Sequence, residues 1–437
     1  MSPKVKTKRG FLGFPGNFWV VIFMEFFERG SYYGLMSVLA IYLGDTARGG
    51  ALGFSEGSVG VMMGVITPLL YLLPILSGAL AERFGYRRIL LVAFTLLGIG
   101  YAVSGHMTGY GWVFASLLIM AVGAGLFKPI PSGTIARITD ESNSTLGFGI
   151  FYWTINLGAF LFPLILVTWL KAIDWRYVFY LSALGTGLMI IPAFFLYKEP
   201  PRPENRKSLG EVLMGAVLVL KDIRFVLMIV IYSGFWVLYF QMFHTVLWYM
   251  KDFVDMTPVN GAVNGLLGTM GIGYNFVFDT QHVTAVNAGT IIILQLVISK
   301  LVSKTRALPT MITGIAVGTV GMLLLAFGTN AWIFFAGLVV FSVGEMTTHP
   351  KFISYVGQIA PKDKVALYMG YSFLYGVIGS FVGGIIGGYS YEYFVGEIRN
   401  PQAMWIMFSG IGLATIIGLF LFDRFLAPRE TQSEPGA

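Results

Sequence analysis

The sequence predicts an all-α membrane protein whose twelve transmembrane helices form two six-helix bundles, and three observations predict it. Of its 437 residues, 56% are hydrophobic and only 12% charged, whereas a soluble domain carries about a quarter of its residues as charges. Apolar runs of ~20–28 residues recur twelve times, each long enough to span a tilted bilayer. A polar stretch divides the runs six and six, the sequence form of two bundles related by an axis along the membrane normal.

Residues 1–16 read as a cytoplasmic basic arm carrying Lys4, Lys6, Lys8 and Arg9. No apolar run followed by a small-residue cleavage site begins the chain, so the first span is expected to be retained rather than removed as a signal peptide. The N-terminal bundle, 17–197, takes its spans near 17–44, 57–81, 88–106, 112–137, 145–170 and 176–197. A cytoplasmic linker, 198–222, holds Glu199-Pro200-Pro201-Arg202-Pro203 as an extended piece, then Ser208 to Glu211 as the start of a short capped interfacial helix. The C-terminal bundle, 223–426, follows with spans near 223–250, 282–303, 307–328, 331–360, 365–392 and 402–426, and a cytoplasmic tail, 427–437, closes the chain. Between the seventh and eighth spans, Lys251 to Gln281 is rich in Gly and Asn and reads as a long outside loop.

Charge placement sets the orientation. With both termini cytoplasmic, the inside segments hold 22 of the 29 Lys and Arg residues, and the outside loops only five: Arg48, Lys171, Arg176, Lys251 and Arg399. The net charge of +7 is therefore topology, obeying the positive-inside rule, and not affinity for nucleic acid. With no cysteine and four scattered histidines, neither a disulfide nor a metal centre is expected. No nucleophile triad or nucleotide loop points to an enzyme.

The remaining two bases, Arg29 and Lys128, lie within the membrane. Glu25, Glu28, Arg29 and Tyr32 recur at helical spacing, placing two acids, a base and a phenol on one stripe of the first helix. A charge near the bilayer centre costs ~2.5–3.5 kcal/mol even on gentle scales, so such residues face a bundle interior or a water-filled path. At ~1.5 Å per residue, Glu28 lies ~17 Å and Lys128 ~14 Å from the inner end of their helices, with Glu345 ~20 Å into the tenth. The four N-terminal charges sum to zero, as a buried network requires. Glu345 then faces them from the other half.

Four motifs carry a resemblance. Glu25-Phe-Phe-Glu28-Arg29-Gly30-Ser31-Tyr32-Tyr33-Gly34 resembles the first-helix signature of the proton-coupled oligopeptide transporter (POT) family of the major facilitator superfamily. Gly125 to Ser132, including Lys128-Pro129, resembles its fourth-helix lysine motif, and Phe151-Tyr152-Trp-Thr-Ile-Asn156-Leu-Gly158 its fifth-helix signature. Gly344-Glu345 followed by Pro350, and later Ala360-Pro361, resembles its tenth helix. The loop with Gly78, Glu82, Arg83, Gly85, Arg87 and Arg88 is similar to the superfamily's G-x-x-x-D-R-x-G-x-R-R loop, with Glu for Asp, and implies a cytoplasmic latch between sliding helices.

The resemblance implies a major facilitator fold and a proton-coupled symporter importing di- or tripeptides by alternating access, with the proton as coupling ion and no other cofactor. A cation on one wall and an anion on the other suit a zwitterion: Lys128 for a peptide's carboxylate, Glu345 for its ammonium. Tyr32, Tyr33, Tyr71, Trp153, Asn156 and Trp236 would supply aromatic and amide contacts. Glu25 and Glu28, beside Arg29 and Lys128, are the candidates for the transported proton, and the sequence does not separate them. The expected partners are a small-molecule substrate, protons and the lipid bilayer, with no nucleic acid, and the expected state is a monomer in the cell membrane.

Two departures bear on the substrate. Met36 stands where the family has a second arginine, and the seventh-helix acid is replaced by Tyr239 or Phe240 before Gln241. They leave open another small amphoteric or anionic solute, and more distantly a drug/proton antiporter or a non-transporting receptor. His244 and His349 are possible replacement titrating groups, although a lone histidine in a bundle is more often a packing residue.

Overall fold

The computed structural model describes residues 11–46, 50–140, 143–200, 209–327, 329–361 and 364–427. The basic residues of the arm, Arg48, linker residues 201–208, Lys362 and tail residues 428–437 lie outside the described residues. The cap expected at Ser208 lies outside them too.

Among the described residues, eleven helices are long and apolar enough to cross a membrane. They are α2 (Glu56–Phe84), α3 (Tyr86–Ser104), α4 (Tyr110–Ile138), α5 (Leu146–Lys171), α6 (Arg176–Phe195), α7 (Ile223–Phe243), α8 (Gln281–Val302), α9 (Ala307–Phe327), α10 (Ala331–Ile359), α11 (Leu367–Glu397) and α12 (Pro401–Phe425). A twelfth of the same length, α1 (Gly16–Gly44), precedes them and departs from that apolar composition by carrying Glu25, Glu28 and Arg29. Within the first six, α1 packs on α5 and α6, α2 on α4, and α3 on α4 and α6. Within the last six, α7 packs on α11 and α12, α9 on α10 and α12, and α8 on α10. The linker forms the helix Leu209–Leu220.

Several spans break where their chemistry requires it. In α4, Lys128 joins the segments Tyr110–Phe127 and Pro129–Ile138, because Pro129 has no N–H to continue the ladder. In α5, Pro163 lies within a wide π turn, Phe162–Val167. After α7 the chain turns at His244 and continues as the helix Thr245–Phe253. The Gln241 amide offsets part of that break by donating to the carbonyls of Val237 (2.7 Å) and Gly383 (3.1 Å). Backbone groups freed inside a membrane need such partners.

The stretch between α7 and α8 differs from the expected long loop. Thr257–Thr269 is helical, which its glycines and asparagines obscure in a propensity reading. Asn260 and Asn264, one turn apart, explain its stability: their side-chain oxygens accept from the backbone of Phe278 and Phe276, each at 2.7 Å. The returning chain is thereby held to the helix.

Polar bonds cross between the bundles at one end. Lys251 pairs with Asp45 (3.4 Å), Lys171 with Asp279 (2.7 Å), and the Gly57 N–H donates to Glu392 (2.8 Å). By the charge pattern this is the outside end. Beneath it α2 and α11 approach through glycine, and a Cβ on Gly384 would lie 2.5 Å from Gly64 N and 2.8 Å from Gly60 O. Gly384→Val should therefore cost ~1–3 kcal/mol by overpacking and separate the bundles at this end. Spin labels on cysteines placed at Phe54 and Tyr393 should report a longer distance in this variant than in the parent; equal distances would show that the glycine contact does not set the closure.

Candidate functional site

Between the bundles lies a cavity of about 350 Å³, within the range of small-molecule sites. The N-terminal bundle contributes Glu25, Arg29, Tyr32 and Tyr33 from one face of α1, with Tyr71 from α2, Lys128 from α4, and Tyr152 and Asn156 from α5. The C-terminal bundle contributes Trp236 and Tyr239 from α7, Asn287 from α8, Glu345 and His349 from α10, and Tyr375 from α11. One wall thus holds two bases and an acid. The facing wall holds an acid and a histidine.

Arg29 organises the first wall. Its Nε donates to Glu28 at 2.5 Å and its Nη2 donates to the other oxygen of the same carboxylate at 2.7 Å, while Glu25 stands 3.7 Å away. The expected stripe therefore divides. Glu25, Arg29 and Tyr32 face the cavity, but Glu28 is fully buried behind Arg29 and is no part of the lining. The guanidinium also lies 5.1 Å from the centre of the Tyr32 ring. One oxygen of Glu25 is buried without a hydrogen-bond partner.

Lys128 is not the partner of Glu25 or Glu28 that the charge sum suggested. Among the described residues its ammonium pairs with no carboxylate; it lies 3.3 Å from the Leu70 carbonyl oxygen and 3.9 Å from the centre of the Tyr71 ring. The kink before Pro129 places it there. Across the cavity, Glu345 accepts from Asn287 (3.0 Å), which also donates to Ser342 (2.9 Å). Asn287 escaped the sequence reading because a lone Asn in an apolar run has no spacing signal, whereas a carboxylate there demands a donor.

Of the aromatic candidates, Tyr32, Tyr33, Tyr71 and Trp236 line the cavity, and Asn156 does so while donating to the Tyr152 carbonyl at 2.9 Å. Trp153 is no part of the lining, one position out of register with Tyr152 and Asn156. Tyr239, Phe240, Phe243 and Tyr375 also line the cavity, and no sequence signal separates them from the other aromatics. Tyr239 and Phe240, the two candidates for the position of the absent acid, both line the cavity. Met36 faces a small side pocket with His244, away from the main cavity.

The loop between α2 and α3 ties helices within one bundle. Glu82 pairs with Arg137 of α4 at 2.8 Å, the Tyr86 N–H donates to Glu199 at 2.7 Å, and Arg87 donates to the Tyr197 carbonyl at the end of α6. Gly85 turns the chain at φ 105°, a conformation costly for residues with a Cβ. Gly78 lies inside α2 with open space beside it, and Arg83 and Arg88 are exposed. Of the loop residues expected to form a latch, Glu82 and Arg87 make side-chain contacts within the N-terminal bundle and Gly85 makes the turn.

Comparison with known proteins agrees with this architecture. The family model described as Major Facilitator Superfamily matches residues 18–280 and 277–437. Dipeptide and tripeptide permease A of Klebsiella pneumoniae is 31% identical over 211 residues, 47% of this chain and 40% of the permease. This chain spans about half the length of the curated relatives it matches. A solved POT family transporter in complex with a thioalcohol-conjugated peptide superposes with a TM-score of 0.78 at 20% identity, covering 96% of this chain and 99% of the other. A POT family transporter in complex with 5-aminolevulinic acid gives 0.76 at 20% identity, covering 96% and 99%. At that identity the likeness is one of fold. The chain is an integral membrane protein of the Major Facilitator Superfamily.

Proposed function

We propose that the chain is a proton-coupled symporter that imports di- and tripeptides by alternating access, as a monomer in the cell membrane with both termini cytoplasmic. The observation that carries this reading is the pair of opposed walls: Lys128 and Arg29 on one, Glu345 held by Asn287 on the other. Such a cavity suits a short zwitterion, with its carboxylate toward Lys128 and its ammonium toward Glu345. The aromatic lining tolerates varied side chains, because rings offer area without a fixed hydrogen-bond code. The relatives named as peptide permeases support the substrate class.

The two acids of α1 take different roles. Glu28 is the fixed counter-ion of Arg29, since both its oxygens are engaged and it sees no water. Glu25 carries the proton, because it faces the cavity with one oxygen unengaged. A substrate carboxylate that draws Lys128 and Arg29 toward itself weakens the field that keeps Glu25 ionised, which couples substrate to proton. The bonds at the outside end act as one gate, and the loop around Gly85 braces the N-terminal bundle when that gate opens.

A smaller amphoteric or anionic solute is the second reading, favoured by Tyr239 and Phe240 occupying the lining where an acid was expected. Uptake of labelled dialanine into proteoliposomes separates the two. Accumulation that requires an inward proton gradient is expected; absence of peptide uptake, or uptake indifferent to the gradient, would overturn the peptide symporter.

Glu25→Gln should keep peptide counterflow but lose gradient-driven accumulation, and undiminished accumulation would move the proton site elsewhere. Glu28→Gln should instead destabilise the protein by ~3–5 kcal/mol, because it leaves Arg29 buried and under-compensated. Its melting temperature should fall well below that of Glu25→Gln, and equal melting would refute the division of roles.

A further inference from the structure

We infer that His349 is a second contact for the anionic end of the substrate, opposing Lys128 from the other wall of the cavity. The inference rests on the transport reading, which supplies the anion. His349 follows Glu345 by one helical turn on the same face of α10, and both line the cavity. Its orientation is fixed. Nδ1 lies 3.4 Å from the Tyr232 hydroxyl, and the ring meets Trp236 edge-on at 5.3 Å and 75°. A neutral imidazole that accepts from that hydroxyl at Nδ1 carries its proton on Nε2, which has no bonding partner among the described residues. The neutral ring thereby presents a donor to the cavity.

Lys128 needs what such a seat would hold. Among the described residues its ammonium pairs with no carboxylate and lies against the Leu70 carbonyl and two rings, with Tyr71 at 3.9 Å and Phe373 at 5.8 Å. His349 reaches the same aromatic wall, since Tyr375 lies 5.7 Å from the imidazole and 6.3 Å from Phe373. An anion between them would take one charged and one neutral donor. Packing alone does not call for an imidazole here: the neighbouring Phe352, fully buried, fills the same stack as a plain hydrocarbon, whereas His349 keeps a polar edge toward the cavity.

The test is thermal stabilisation of the purified full-length protein by dialanine, dialanine amide, succinate and inorganic phosphate, in the parent, His349→Phe and His349→Gln. His349→Phe keeps the ring contacts with Trp236 and Phe352 and removes the nitrogens. Its apparent affinity for dialanine should fall about 10-fold or more, with that for the amide unchanged, and His349→Gln should recover part of the loss. Equal weakening toward dialanine and its amide would assign His349 to packing and overturn the seat, as would parental discrimination in His349→Phe. If dialanine fails to stabilise the parent, the peptide reading fails by itself. The seat then stands if succinate or phosphate stabilises the parent and not His349→Phe, and falls if neither anion stabilises the parent.

Discussion

An arginine and a glutamate in the middle of a membrane bundle must hold each other, because each ion alone carries a desolvation penalty of several kcal/mol. The Arg29–Glu28 pair meets that constraint with two hydrogen bonds inside α1 itself. The rest of the site depends on it. With Glu28 committed, Glu25 is left as the acid that faces the cavity, at 3.7 Å from a guanidinium already engaged. Lys128 is left without a carboxylate of its own. The N-terminal wall is therefore an ion pair beside an acid and a base that are less tightly held, the arrangement on which the proposed coupling rests.

The two kinds of contact between the bundles differ in how easily they can be undone. The ion pairs at the outside end are largely buried, Asp45 and Lys171 most of all, so parting them requires that water reach both partners. The glycine contacts between α2 and α11 are backbone against backbone and break without stranding a large side chain. An interface of small residues and peripheral charges suits a protein that must hold two arrangements of similar free energy. Glu28 and Arg29, by contrast, are neighbours within one helix, so their bond does not depend on how the bundles meet.

Much of this was legible in the sequence because membranes constrain sequences strongly. Twelve long apolar runs and a skewed distribution of Lys and Arg have few alternative readings, and an ion within a span is conspicuous. What escaped was side-chain direction. Glu25 and Glu28 share a helical stripe in projection, yet a bidentate bond turns Glu28 behind Arg29, and no spacing rule reveals that. Trp153 and Tyr152 differ by one position, about 100° around the helix, which takes Trp153 out of the cavity lining. Asn287 needed Glu345 in place before its role could be seen. The helix at Thr257–Thr269 was hidden because its stability comes from two asparagines binding a returning chain, a tertiary effect that overrides weak propensity.

The central claim is that one acid of α1 exchanges its proton while the other stays ionised against Arg29. Infrared difference spectra recorded on adding dialanine to the reconstituted protein test it most directly, since protonated and ionised carboxyl groups absorb in separate regions. The account predicts a protonated-carboxyl signal on peptide binding that disappears in Glu25→Gln. A signal that persists unchanged in that variant would contradict it.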